Sequence, residues 1–154
     1  MTHLGRILGT MALGLLLAGC SSAEDSEQAA AFRGARKTLD TYMKALQSGD
    51  CKTAYACLSW KRRHEISLAQ VQEDYAKNRE RFLHRADAKV ERLLYDGFRV
   101  VAKLVNGDGQ TEFLAFLPEE GDWRIEATGR SYADVVRNYE TAGGPKHPEE
   151  RKAP

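Results

Sequence analysis

The chain has 154 residues, 42% of them apolar and 29% charged, with 23 Lys and Arg side chains against 22 Asp and Glu. That composition belongs to an ordinary globular protein. A net charge this close to zero provides no basic excess to neutralise phosphates, which excludes nucleic acid as a partner.

The N-terminus carries the parts of an export signal in order: Arg6 with the amino terminus, an apolar run from Ile7, and small residues ahead of a cut. The run ends at Gly19, short of the ~20 residues that cross a bilayer core, so a cleaved leader over 1–19 is expected. Leu17-Ala18-Gly19-Cys20 resembles the lipobox of bacterial lipoproteins. The resemblance implies cleavage before Cys20, a diacylglycerol joined to its thiol as a thioether, and often an acyl group such as palmitate on the new amino terminus. Several chains together hold a protein at the bilayer, so the mature protein is expected to be anchored there without spanning it. Ser21 stands where Asp marks inner-membrane retention in diderm bacteria. The resemblance therefore implies the outer membrane facing the periplasm, with the cell surface or the outer face of the cytoplasmic membrane as alternatives. Losing Arg6 with the leader leaves basic and acidic side chains equal in number.

From Ser21 to about Ala29 the chain is Ser, Ala, Glu, Asp and Gln, which predicts a flexible tether over 20–29. Gly143, Gly144, Pro145, Pro148 and Pro154 predict a disordered tail over 141–154. What remains, 30–140, suits a single domain with one core.

Phe32, Ala35, Leu39, Met43 and Leu46, with Tyr42 at the edge, recur at helical spacing and predict a first amphipathic helix. Gly49 supplies a left-handed stop, and Asp50 caps a second helix over Cys51 to Leu58. Ser67 and Gln70 form a capping box for a third, whose stripe of Leu68, Val71, Tyr75 and Phe82 is interrupted by Arg79. The period then changes to two. Strands are predicted at Lys89 to Tyr95, Phe98 to Val105, Thr111 to Leu117 and Trp123 to Thr128. Asp96-Gly97, Asn106 to Gly109 and Pro118 to Asp122 form the turns between them, and a weak helix follows from Ser131 to Tyr139.

The expected fold is α+β, with N-terminal helices on one face of a curved four-stranded antiparallel sheet. Leu39 to Asp50 and Ala54-Tyr55-Ala56, together with Trp123-Arg124-Ile125, resemble the nuclear transport factor 2-like, or ketosteroid-isomerase-like, superfamily. This implies a cone-shaped fold, also described as cystatin-like, with a cavity that serves enzymes in some members and binding in others. Isomerase-type members pair a buried carboxylate with a tyrosine or protonated acid. No position here matches that pattern: Asp40 falls off the apolar stripe beside Arg36 and Lys44, so no catalytic residue is carried over.

Tyr42 and Tyr55 are the candidates to line the cavity, against the commoner role of core tyrosines with a polar tip. Trp60-Lys61-Arg62-Arg63-His64 is the best local patch. Trp60, Arg62, Arg63 and His64 could touch anionic headgroups or an acidic partner. The alternative, which is preferred, has Trp60 closing the core beside merely solvated cations. His64 and His84 show no ligand spacing, so neither metal nor cofactor is expected. His84 suits a helix C-terminus. Export would favour a disulfide between Cys51 and Cys57. On one continuous helix, however, they lie ~9 Å apart along the axis, so the preferred reading is two free thiols, Cys57 buried and Cys51 partly exposed. The functional expectation is a non-catalytic, lipid-anchored module for a small apolar ligand or an envelope partner, with a homodimer open. A cavity enzyme of the isomerase or lyase type is the alternative.

Overall fold

The computed structural model describes residues 21–141. The expected leader, Cys20 and the tail from 142 onward lie outside the described residues. Ten elements follow in order: α1 (Ser21–Ser48), α2 (Cys51–Ala56), α3 (Trp60–Glu65), α4 (Leu68–Lys77), α5 (Arg79–Ala86), β1 (Lys89–Tyr95), β2 (Val100–Val105), β3 (Thr111–Glu119), β4 (Asp122–Gly129) and α6 (Tyr132–Thr141). The protein is α+β, with helices packed against an open antiparallel sheet of order β1-β2-β3-β4.

The inward stripe of α1 is as predicted, with Ala35, Leu39, Met43 and Leu46 buried and Asp40 outside, paired with Arg36 at 3.4 Å. In the stretch expected as a tether, α1 continues back to Ser21. Ser, Ala, Glu and Gln have no packing face, yet each adds one hydrogen bond to a helix already nucleated at Ala31 and beyond. Gly34 lets a side chain approach the helix backbone. A Cβ there would stand 2.2 Å from Trp123 Cδ1, and the Thr38 hydroxyl donates to the Trp123 carbonyl at 2.6 Å. Gly49 is left-handed at φ 75°, and the Asp50 carboxylate accepts from the Thr53 N–H at 3.0 Å.

The second helix ends at Ala56, before the predicted Leu58, because the chain leaves it to pair with β4. Ile125 N–H donates to the Cys57 carbonyl at 2.9 Å, and Ser59 N–H donates to the Ile125 carbonyl at 2.9 Å. Ser59 then caps α3, a helix absent from the sequence expectation, by accepting from the Arg62 N–H. The Ser67 and Gln70 capping box is present, but the helix it opens stops at Lys77. Asn78, at φ −125°, breaks the predicted run into α4 and α5. Its N–H still donates to the Asp74 carbonyl at 2.9 Å and its side chain to the Asp74 carboxylate at 2.6 Å, so the break lies in its own backbone angles.

Val100, Ala102, Leu104, Leu114, Phe116 and Ile125 form one core with α1, α2 and α5. Phe98, predicted to open a strand, lies in the β1–β2 turn, where Asp96 accepts from the Phe98 and Arg99 N–H groups. Pro118, Glu119 and Asp122 belong to strands, which narrows the predicted turn to Glu120 and Gly121, at φ 53° and 83°. The N-terminal helices cover one face of the sheet, as expected. The opposite face carries Val101, Ala115 and Ala127 against Val135 of α6, a helix that approaches closely over Gly129. The register shifts once in β1 against β2, around Glu91, and once in β4 against β3, around Glu126. Such bulges turn a side chain and bend a strand.

Candidate functional site

A cavity of about 320 Å³ opens between α1, α2, α4, α5 and β4. The sequence pattern explains its apolar wall: Leu46 belongs to the α1 stripe, Val71 and Tyr75 to that of α4, and Phe82 to α5. Its size is at the lower end of the ~300–1,000 Å³ common for small-molecule sites.

Of the six predicted contact residues, Tyr42, Tyr55 and Arg62 line this cavity. Tyr42 is buried, and its hydroxyl accepts from Arg85 Nη1 at 3.1 Å. The Tyr55 hydroxyl hydrogen faces two carbonyls, Arg63 at 2.8 Å and Ile66 at 3.1 Å, and so ties α2 to the end of α3. Trp60, Arg63 and His64 are not on the cavity wall. Trp60 does not close the core: it is 61% exposed and stacks on His64 with ring centroids 3.8 Å apart. The neighbouring cations are not merely solvated either. Lys61 faces Glu126 at 3.9 Å, Arg62 meets Glu65 at 2.6 Å, and Arg63 meets Glu119 at 3.1 Å. The same Glu119 carboxylate accepts from the Trp60 N–H, so each positive charge of α3 has an acid beside it.

Sequence reasoning missed the residues that shape the cavity's polar side. Arg85 donates through Nε to Glu112 at 2.7 Å, with a second contact from Nη2 to the same carboxylate. Burial works against its charge, but Tyr42 and Glu112 outweigh that and hold the guanidinium pKa above its ordinary value. Arg81 meets Asp74 at 3.0 Å. Both guanidinium carbons sit over the Phe82 ring, at 5.1 Å and 5.8 Å from its centroid. Phe82 in turn stacks on Tyr75, whose hydroxyl donates to the Leu46 carbonyl. Glu126 is buried, and its carboxylate accepts a hydrogen bond from the Ser59 hydroxyl. The only local signal for this group is the spacing of Arg81 and Arg85, one helical turn apart around Phe82.

Cys51 and Cys57 are free thiols, and both are buried. The partly exposed Cys51 is thus corrected: the first turn of α2 presses against α1 and the cavity. Burial pushes both thiol pKa values up, which keeps them protonated and poorly nucleophilic.

Among the described residues no three His, Cys, Asp or Glu side chains gather as metal ligands, and no helix is long and apolar enough to cross a membrane. No protein family, curated protein or solved structure matches this chain.

Proposed function

We propose that this chain is a lipid-anchored cell-envelope protein whose cavity binds a small, largely apolar ligand without chemical conversion. The observation that carries the reading is the composition of the cavity wall. Leu46, Leu58, Val71 and Phe82 supply an apolar lining, while the two carboxylates, Asp74 and Glu126, are each bound by other side chains. Proton abstraction beside a carbonyl needs a base and an oxyanion donor converging on one point. Tyr42 instead meets a guanidinium, and Tyr55 meets backbone carbonyls. The anchor rests on the lipobox-like Leu17-Ala18-Gly19-Cys20.

Mass spectrometry of the protein purified from membranes tests both parts. The expected result is a diacylglyceryl group on an N-terminal Cys20 and a co-purifying small molecule. A Cys20→Ala chain that stays fully membrane-bound would remove the anchor from the proposal. One observation favours a second reading, a cavity enzyme of the isomerase or lyase type: Glu126 is a buried acid on the wall. That reading would gain if Glu126→Gln abolished turnover of a hydrophobic substrate while its binding remained.

A further inference from the structure

We infer that the ligand taken by the cavity is a small amphipathic organic anion, an apolar body ending in a carboxylate or sulfonate whose head rests on Arg85 and Arg81. This builds on the reading of the cavity as a ligand site. The donors and acceptors of the wall are committed to different extents.

Each carboxylate oxygen of the wall already faces a donor. Asp74 accepts from Asn78 on one oxygen at 2.6 Å and from Arg81 on the other at 3.0 Å. Glu126 accepts from Ser59 on one oxygen and faces the Lys61 ammonium at 3.9 Å with the other. A cationic ligand would meet acids whose charge is already offset by Arg81 and Lys61. Tyr55 and Tyr75 direct their hydroxyl hydrogens to carbonyls.

Donors remain. A guanidinium has five N–H groups in a planar fork. Among the described residues Arg81 gives one to Asp74 and Arg62 one to Glu65, both through terminal nitrogens. Arg85 uses Nε and one hydrogen on each terminal nitrogen, for Glu112 and Tyr42. The second hydrogen on each terminal nitrogen is left over. Arg81 and Arg85 flank the same Phe82 ring, so the surplus donors lie beside an apolar surface. An anion with an apolar body matches both halves of that surface, since charge-assisted bonds from arginine to oxyanions are about twice as strong as neutral ones.

Isothermal titration of the full chain, held in phosphatidylethanolamine and phosphatidylglycerol nanodiscs, would test this with naphthoate, its neutral isostere naphthamide and the cation naphthylmethylammonium. Naphthoate is expected to bind about tenfold tighter than naphthamide or better, with the cation weakest. Arg85→Gln should cut naphthoate affinity and leave that of naphthamide unchanged. Arg81→Gln repeats the test at an exposed position where folding is not at stake. Naphthamide binding as tightly as naphthoate, or a naphthoate preference that survives both arginine substitutions, would overturn the anion inference and leave the cavity reading standing. Binding that persists in Ala54→Phe, which fills the cavity, or no binding by any of the three probes, would overturn both.

Discussion

Two regions of this molecule combine aromatic rings with arginines, and they treat them in opposite ways. On α3, Trp60 and His64 stack in solvent while Arg62 and Arg63 meet acids from the same helix and from the end of β3. At the cavity, Phe82 is buried and Arg85 is mostly buried, and the acids come from α4 and β3. The difference shows that a cluster's composition says little about its role. Both draw an acid from β3, and what differs is whether the ring beside the arginines is exposed, as Trp60 is, or buried, as Phe82 is.

The comparison can be broken by energetics. Phe82→Ala should cost about 3 kcal/mol in urea unfolding, because it empties a buried ring position that Tyr75 packs against. Arg85→Met should cost about 2 kcal/mol, less than for a fully buried pair because the Arg85 and Glu112 side chains keep 18% and 28% of their exposure. Adding Glu112→Leu to that variant should recover most of the loss, which a double-mutant cycle would read. Trp60→Ala should shift stability by no more than about 0.5 kcal/mol, as usual for exposed sites. A loss near that of Phe82→Ala would erase the contrast between the two regions.

A smaller effect sharpens it from outside. Tyr95, whose hydroxyl donates to Glu27 at 2.7 Å, has its pKa pushed up from 10.0 to about 12 by burial and by that carboxylate. Below pH 10 the hydroxyl is protonated in both folded and unfolded chains, and its contribution is complete. Between pH 10 and about 12 the unfolded chain ionises first, so stability falls as pH rises. Tyr95→Phe should flatten the thermal midpoint over that window, and an unchanged slope would remove Tyr95 as its source.

What was legible in the sequence was local. The α1 stripe, the left-handed Gly49, the Asp50 cap, the Ser67 and Gln70 box and the alternation of β2 each depend on residues a few positions apart. What was hidden was joined from a distance. Ser59 and Glu126 are 67 residues apart, and Arg85 and Glu112 are 27 apart. Nothing in Trp60 to Glu65 announces a helix until Ser59 is pinned against β4 and freed to cap it. Asn78 shows the reverse case: an apolar period runs across it, and the backbone leaves the helix there at φ −125°. The cavity was half visible for the same reason, since its apolar stripes are periodic and its paired charges are not.

The two bulges have a consequence for how copies of this protein behave when crowded. Each lies on an outer strand of the sheet, where unsatisfied backbone groups invite pairing with another molecule. On one side, Glu91 interrupts the ladder and its carboxylate is held by Lys103 at 2.7 Å, which leaves charge along a kinked border. On the other, Ile125 spends its outward N–H and carbonyl on the Cys57–Ser59 segment. Both borders are thereby blunted against edge-to-edge aggregation.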